Sequence, residues 1–133
     1  MPKGSTTLQL TTRMDRRDIE RATGQVRFYI VTLDAALEKL ASRYAIEMER
    51  EAKRLVPVDT GTLRDSIQGD VKRIVTRWVA EVRSNADGSA PYDRFVEFGT
   101  TLMEAQPFLR PTIQKFRAQW QQDVRNLKRR LKP

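Results

Sequence analysis

Neither cysteine nor histidine occurs among the 133 residues of the chain. Without cysteine there is no disulfide framework and no thiolate nucleophile. Without histidine the sequence lacks the commonest general base and the commonest transition-metal ligand, which excludes Ser-His-Asp and Cys-His nucleophile systems. It also has no signal-like segment and no long apolar run. We therefore predict a protein that is not an enzyme, binds no cofactor or metal, does not enter a membrane and is made in a cytosol-like compartment.

Acidic residues are fewer than basic ones, 17 against 25, which gives a formal net charge of +8. The imbalance is concentrated near the C-terminus. From Phe108 to Pro133 there are eight cations and one acid, whereas Val56 to Pro107 has six cations and eight acids. This distribution suits an anionic partner, either nucleic acid or an acidic protein surface.

The first half of the chain has the spacing of a long amphipathic helix. Apolar residues recur at steps of three and four from Asp15 to about Leu55, and Gly24 interrupts the stripe near its start. Pro57 ends the helix. Unbroken, the helix would be about 60 Å long, which is more than one small domain needs. A helix of this length is expected to pack against other subunits.

Two strands and a second helix are predicted after the long helix. β-Branched residues indicate strands at Ile67–Thr76 and Trp78–Ser84. The segment Tyr92–Thr100 fits either a third strand or a short helix. A second amphipathic stripe begins at Phe108, with Pro111 in its first turn. The predicted fold class is therefore α+β, with a long N-terminal helix, a small antiparallel β-sheet and a C-terminal helix.

The chain is long enough for one domain, which we place at residues 15–133. Residues 1–14 are polar and rich in threonine, and we predict a flexible N-terminal arm. Leu8 and Leu10 alternate with polar residues in this arm. It could therefore become a strand where a neighbour offers the edge of a sheet.

The triplet Asp59-Thr60-Gly61 admits two interpretations. It matches the active-site signature of aspartic proteases, in which two copies place two carboxylates close enough to share a proton. That signature lies between strands of an all-β fold, whereas here a long predicted helix and Pro57 precede it. Arg64 would also add a cation beside the paired carboxylates. We favour a structural turn from helix to sheet, in which Asp59 and Thr60 bind backbone N–H groups.

The C-terminal helix carries a basic face opposite its apolar stripe. This face could neutralise the phosphates of a nucleic acid, or it could be a solvated face that meets acidic neighbours in an assembly. No signature of a sequence-reading module is present, so generic contact with DNA or protein is favoured over sequence-specific recognition. The residues expected to make this contact are Arg117, Arg125, Lys128, Arg129 and Arg130.

Glu97 is the one acid in an otherwise apolar run, Phe95–Phe98. In a strand its side chain would point away from the neighbouring Phe98. It could act as an acid catalyst, but no second carboxylate partner can be named for it. We favour an outward residue, or one that pairs with an arginine at an interface.

Three stretches, taken in order, resemble a known family. They are Val56–Ile67 (VPVDTGTLRDSI), Tyr92–Thr100 (YDRFVEFGT) and Ala105–Pro111 (AQPFLRP). In this arrangement the chain resembles the small neck or tail-completion proteins of long-tailed bacteriophages, the tail components of the lambda-like group. The resemblance covers roughly residues 35–125. The family's pattern has alanine after the first tyrosine of the second stretch, where this chain has Asp93.

The resemblance implies a structural, non-enzymatic role at the head–tail junction of the virion, after assembly in the host cytoplasm. Family members act as rings around the DNA channel, so six or twelve copies are expected. The implied partners are head-closure, tail-terminator and tail-tube proteins, with non-specific contact to genomic DNA in the channel. By this analogy, the residues that shape the turn and the subunit contacts are Asp59, Thr60, Gly61, Leu63, Arg64, Glu97, Phe98, Gly99, Thr100, Pro107, Phe108, Arg110 and Pro111.

The net charge leaves an alternative open, a basic nucleic-acid-binding protein that acts outside the particle. That alternative predicts DNA binding by the isolated chain, with an affinity that falls steeply as salt is added. A subunit of the virion needs only weak contact with DNA. Replacement of the basic residues of the C-terminal helix would then spare the contacts between subunits.

Overall fold

The computed structural model describes residues 5–13, 24–57, 61–75 and 77–132. In these ranges the structure has three strands and four helices. In chain order they are β1 (Thr7–Arg13), α1 (Gly24–Leu55), α2 (Thr62–Asp65), β2 (Gln68–Ile74), β3 (Arg77–Arg83), α3 (Asp93–Phe98) and α4 (Leu109–Leu131). The long helix, the small antiparallel sheet and the C-terminal helix confirm the predicted α+β class. Within the same ranges, no helix is long and apolar enough to cross a membrane.

The three strands form one antiparallel sheet in the order β1-β3-β2. The β2–β3 hairpin confirms the two strands predicted from β-branched residues, although Thr76 in its turn lies outside the described residues. Leu10 and Val71 both lie opposite Ala80, so these three side chains share the face that packs on the helices. Period-two alternation therefore directs most apolar residues of the three strands to this side, whereas Val79 and Ile74 lie on the opposite face.

The third strand, β1, comes from the N-terminal segment rather than from Tyr92–Thr100. Residues 7–13 lie in the stretch taken as a flexible arm, and they pair with β3 of the same chain along their whole length. Pairing buries Leu10 and half-buries Leu8. The sequence predicted a strand here on the condition that a sheet edge is available. Strand β3 of the same chain supplies that edge. The segment after Tyr92 is instead the short helix α3.

The core lies between the sheet and the two long helices. Helix α1 covers β2 and β3, and α4 packs beside α1 and over β1. Tyr44 of α1 meets the edge of Trp120 of α4, with ring centroids 5.0 Å apart. Each large apolar side chain buried here contributes about 1.5–3 kcal/mol. The periodic stripes of both helices are confirmed for the described residues, whereas residues 15–23 of the predicted first helix lie outside them.

Gly69 allows the close approach of β2 to α1. A Cβ atom on this residue would lie 2.1 Å from the carbonyl oxygen of Ala45. The N–H of Gly69 donates to the Glu49 carboxylate of the helix at 2.9 Å. A side chain at position 69 would therefore force helix and strand apart.

Helix α1 is longer than the sheet that it covers. Its 32 residues span about 48 Å, whereas a seven-residue strand spans about 23 Å. Asp34 is level with the hairpin end of the sheet, because it accepts hydrogen bonds from Trp78 (2.8 Å) and Arg73 (3.2 Å). The turns of α1 before Asp34 extend past the hairpin, and there Phe28 and Val31 are 75% and 68% exposed.

Candidate functional site

The predicted site residues of α2, α3 and the start of α4 lie beyond the end of β3 that is opposite the hairpin. Glu97 of α3 is the best defined of them, because its side chain is buried and both of its carboxylate oxygens accept hydrogen bonds. One carboxylate oxygen accepts the N–H groups of Phe108 and Leu109 at 2.7 and 2.9 Å, and the other accepts the N–H of Arg110 at 2.8 Å. Glu97 therefore caps the N-terminus of α4 from a separate helix.

This cap accounts for the sequence at the start of α4. A helix leaves its first four N–H groups without partners inside the helix. Glu97 accepts three of them, from residues 108–110, and the fourth position is Pro111, which has no N–H. A carboxylate at this position also interacts favourably with the helix dipole. The stretches YDRFVEFGT and AQPFLRP are thus two halves of one capping arrangement.

Arg110 completes the arrangement from the solvent side. Its Nε lies 3.4 Å from the Glu97 carboxylate, and its guanidinium stacks over the ring of Phe98 at 5.1 Å. The predicted pairing of Glu97 with an arginine is therefore found, but within one chain. Glu97 is also buried rather than outward. A subunit-contact role for Glu97, Phe98 and Arg110, and for the neighbouring exposed Pro107 and buried Phe108, stays a prediction.

Gly99 and Thr100 form the turn that leads from α3 toward α4. Gly99 has φ 77°, and a Cβ atom there would come within 2.8 Å of the Ala105 nitrogen. The Thr100 hydroxyl accepts the N–H groups of Leu102 and Met103 at 3.2 and 3.0 Å. Glycine is required at position 99 for both its backbone conformation and its lack of a side chain.

The predicted turn after α1 is only partly described. Asp59 and Thr60 lie outside the described residues. Gly61 has φ 83° and precedes α2, in which Leu63 is buried and exposed Arg64 lies 3.5 Å from the Asp65 carboxylate. The triplet therefore lies between two helices of an α+β domain. That setting differs from the strand-flanked loop of an all-β fold in which the protease signature operates.

An open apolar groove of about 680 Å³ lies between α2 and α3. Leu63, Tyr92, Phe95 and Met103 are among the residues that line it. Tyr92, Phe95 and Met103 are each about 40–50% exposed, and Leu102 beside them is 97% exposed. Exposed apolar residues gathered in one concave area are typical of a protein–protein contact surface.

A buried polar cluster holds the loop beside this groove. The Ser84 hydroxyl donates to the carboxylate of Asp93, and both residues are about 98% buried or more. Asn85, which has φ 55°, accepts the N–H of Ala90 through its side chain at 2.9 Å. The backbone N–H of Asn85 in turn donates to the Ser66 hydroxyl at 3.1 Å. These bonds fix the loop in one conformation.

Residues 29–99 match the family model described as "Bacteriophage HK97-gp10, putative tail-component". The match spans 71 of the 133 residues, more than half of the chain. The chain belongs to this family. It is accordingly assigned to the structural components of phage tails, which are associated with the virion and contact other tail proteins. No curated protein and no solved structure matches the chain.

The family match includes most of the stretches on which the resemblance was based. VPVDTGTLRDSI and all but the last residue of YDRFVEFGT lie within residues 29–99, whereas AQPFLRP lies beyond them. The capping arrangement therefore connects the family region to α4. Asp93 is accommodated in the interior because Ser84 supplies its hydrogen bond.

The basic face of α4 also lies beyond the family match. Arg117, Arg125, Arg129 and Arg130 are exposed on it, and Lys128 is half-buried. The carbonyl of Lys128 accepts the hydroxyl of Tyr29 from α1 at 3.1 Å, which joins the ends of the two long helices. The structure thus places the predicted cations on a single helix, spread around its solvent-facing surface.

Sequence reasoning did not identify the groove or the cluster at Ser84. The groove residues Tyr92, Phe95 and Met103 are far from Leu63 in sequence, and only the folded chain brings them together. A signal for the groove was available in the high density of apolar residues at positions 92–103, six of twelve. For Ser84 the signal was Asp93 itself, since a buried carboxylate requires a hydrogen-bond donor.

Proposed function

We propose that the chain is a ring-forming subunit at the head–tail junction, which joins the tail to the DNA-filled head. The observation that carries this proposal is the part of α1 before Asp34, which extends past the hairpin end of the sheet and is called the overhang below. The helix projects past the sheet and exposes Phe28 and Val31, which the described residues of the chain leave largely uncovered. An apolar surface of this kind indicates a partner.

A ring also requires a second surface on each subunit, different from the first. Closed rings are built from heterologous contacts, in which one patch of each copy meets another patch of the next copy. The groove beside α3 lies at the opposite end of the sheet from the overhang and supplies such a patch. Six or twelve copies would follow the symmetry of the junction, and head-closure, tail-terminator and tail-tube proteins would be the neighbours above and below.

The proposed role is structural rather than enzymatic. The buried carboxylates of the described residues are engaged inside the chain. Glu97 caps α4, Asp93 binds Ser84, and Glu81 accepts Gln9 at 2.7 Å and lies 3.0 Å from Lys72. Glu51 is held by Arg54 and Lys115. Each of these groups stabilises the fold, and general acid–base chemistry would require one directed at a substrate.

The basic face of α4 would contact genomic DNA in the channel without reading its sequence. Arg117, Arg125, Arg129 and Arg130 are exposed on one helix, which suits neutralisation of backbone phosphates. Replacement of Arg125, Lys128, Arg129 and Arg130 by glutamine would then lower the salt sensitivity of DNA binding and leave the contacts between subunits intact. Tight binding of the isolated chain to DNA would favour the alternative of a nucleic-acid-binding protein outside the particle.

Negative-stain microscopy of particles from a phage with this gene disrupted tests the proposal. Filled heads that lie apart from assembled tails are the expected result, because the joining subunit would be missing. Complementation with the wild-type gene should restore joined particles. Normally joined particles in the absence of the gene would overturn the assignment to the junction.

A further inference from the structure

Strand β1 is one edge of the sheet, and alternate backbone groups along it face away from β3. The N–H of Ser84 donates to the carbonyl of Thr6, so the even-numbered residues of β1 face β3. The carbonyl of Thr11 instead accepts an indole N–H from α4 at 3.3 Å, so the odd-numbered residues face outward. Within the described part of the chain, nothing hydrogen-bonds to the backbone of Thr7 or Gln9 on this outward side. Strand β1 therefore offers free donors and acceptors along its edge.

The other edge of the sheet, β2, is protected by side chains of its own chain. The outward N–H of Gly69 donates to the Glu49 carboxylate at 2.9 Å. The outward N–H of Val71 donates to the Asp70 carboxylate, also at 2.9 Å. Natural sheets protect their edges in this way, or with charged side chains, proline or bulges. Residues 6–12 contain no charged residue and no proline, so the β1 edge is a template for a further strand.

The sequence of this edge is complementary to itself. Residues 6–12 read TTLQLTT, which is a palindrome about Gln9. Because antiparallel strands run in opposite directions, two copies of a palindrome can pair so that every residue meets one of its own type. Leucine then faces leucine, threonine faces threonine and Gln9 faces its counterpart. Threonine pairs of this kind stabilise antiparallel sheets, and no like charges lie opposite each other.

The backbone of β1 is complementary in the same register. Gln9 faces outward, so Gln9 and its counterpart form a pair that exchanges two hydrogen bonds. Thr7 and Thr11 also face outward, and each pairs with the other in the second strand. The Thr11 carbonyl keeps a lone pair for this contact besides the one that accepts the indole of α4. A register shifted by one residue would oppose groups that β3 already uses.

The apolar face of the sheet also continues across this contact. Leu8 and Leu10 lie on the side that packs on the helices, where Leu10 is buried and Leu8 is half-buried. Side chains directly opposite each other lie on the same face, so Leu8 would meet Leu10 of the second strand. The Gln9 side chain lies on the other face, where it donates to Glu81 at 2.7 Å. The contact would therefore cover the exposed part of Leu8.

We propose that β1 of one copy pairs antiparallel with β1 of a second copy, with Gln9 at the two-fold axis. The contact joins two three-stranded sheets into one sheet of six strands and makes a dimer of the free protein. The occupant of the edge is a second copy of this chain, because the sequence and the backbone register of β1 are each complementary to themselves. The contact is isologous and uses neither the overhang nor the groove, so it is independent of the proposed ring.

Amide hydrogen exchange, followed by NMR at increasing protein concentration, tests the contact residue by residue. The amides of Gln9 and Thr11 face outward, so their exchange should slow as dimers form. The expected slowing is about tenfold once about 90% of the chains are dimeric, since exchange then requires the remaining monomer. The amide of Leu10 faces β3 in the single chain, so its exchange should depend on the stability of the fold instead. Equal exchange of the outward amides at every concentration would overturn the inference.

Gln9→Pro separates pairing from folding. Proline removes an N–H that the single chain does not use, and edge strands tolerate proline at such positions. The variant should keep the circular dichroism spectrum and the cooperative thermal unfolding of the wild type. Its self-association in sedimentation should weaken at least about tenfold, because both hydrogen bonds at the two-fold axis are lost.

Gln9→Lys is a second variant that leaves the backbone intact. It places two cations opposite each other at the axis, which should also weaken the dimer, while the new side chain can still pair with Glu81 in its own chain. The matched control is the same change on the protected edge, at exposed Gln68, and Gln68→Lys should leave self-association unchanged. Unchanged self-association of both variants at position 9 would overturn the proposed contact.

The outcomes distinguish this dimer from the proposed ring. Rings that persist in Gln9→Pro, with no slowing of the outward amides in the wild type, would overturn the β1 contact and leave the ring standing. Dimers that are lost in Gln9→Pro support the contact, even if heads and tails join without the gene. If the wild type stays monomeric and Gln9→Pro abolishes binding to a purified tail-tube protein, the edge pairs with that partner and the inference is wrong.

Discussion

The hydroxyl of Tyr44 donates a hydrogen bond to the carboxylate of Asp123 at 2.6 Å and so joins the two long helices, α1 and α4. Tyr44 is almost fully buried and lies edge-on to Phe116 and Trp120. Arg43 reaches the same carboxylate at 3.2 Å from the solvent side. The central aromatic cluster of the core thus ends in a polar contact that sets the rotation of α4 against α1.

Tyr44→Phe should destabilise the fold by about 1 kcal/mol, because it removes one hydrogen bond and leaves the ring in place. Burial, and then the hydrogen bond to Asp123, raises the pKa of the Tyr44 hydroxyl above its usual value of 10.0. The contribution of this group is therefore fully present below pH 10 and is lost as the pH rises further. Urea unfolding at neutral and alkaline pH checks this. An equally steep alkaline decline in Tyr44→Phe would contradict it.

Glu97→Gln should destabilise the fold by roughly 2–3 kcal/mol. The amide retains one acceptor, but its NH₂ group would face backbone N–H donors of α4, and the charge that interacts with the helix dipole is lost. Exposed Glu104→Gln, seven residues later, is the matched control and should change the free energy of unfolding little. Thermal unfolding measures both variants. Equal stability of the two would show that Glu97 does not function as the cap.

Gly99→Ala and Gly88→Ala form an informative pair, since both glycines have φ 77°. Gly99 also has ψ 176°, a combination open essentially to glycine alone. At Gly88 nothing lies within 4 Å of an added Cβ atom, whereas at Gly99 the Ala105 nitrogen would lie at 2.8 Å. Gly88→Ala should lower the free energy of unfolding by about 1 kcal/mol, from backbone strain alone. Gly99→Ala should cost roughly 1–3 kcal/mol more, because the turn must also move. Similar unfolding midpoints for the two variants would argue against crowding at Gly99.

Local patterns in the sequence were sufficient for the two long helices, α1 and α4, and for the β2–β3 hairpin. The stripes of α1 and α4 have a clear 3.6-residue period, and Pro111 lies in the first turn of α4 as predicted. The pairing of β1 could not be obtained in this way, because Leu10 meets Ala80 across 70 residues. A strand on a sheet edge depends on which edge is open, and that is a property of the folded sheet.

The candidate site, too, could be predicted only in part from local sequence patterns. The sequence identified Glu97 and its pairing with an arginine, and Arg110 is that partner. It did not reveal the cap, because the acceptor and the donors lie on different helices. The strand alternative for residues 92–100 would have directed Glu97 outward, whereas in the short helix α3 the residue is buried. One choice of secondary structure therefore changed the interpretation of the central residue.

Lowering the pH should reduce the free energy of unfolding, because Glu51 becomes protonated. The hydrogen bond from Arg54, followed by that from Lys115 at 3.1 Å, lowers the pKa of Glu51 from 4.5 to about 2. Because the folded pKa is the lower one, its stabilisation is present above pH 4.5 and is lost as the pH falls toward 2. Both cations are more than half exposed, so solvent screening reduces the effect to on the order of 1 kcal/mol. Glu51→Gln should flatten this part of the pH profile of stability, and an unchanged slope would contradict the assignment.

Ser84 and Asp93 should behave as a coupled pair in a double-mutant cycle. Ser84→Ala leaves a buried carboxylate without its hydroxyl donor, and we expect a loss of about 2–3 kcal/mol. Asp93→Ala leaves only a buried hydroxyl, so the loss should be about 1–2 kcal/mol. The double variant should lose less than the sum, with a coupling of roughly 1–2 kcal/mol, because neither buried group is then left without a partner. Urea denaturation of the four proteins measures the cycle. Strict additivity would mean that the Ser84–Asp93 hydrogen bond is not what stabilises the buried aspartate.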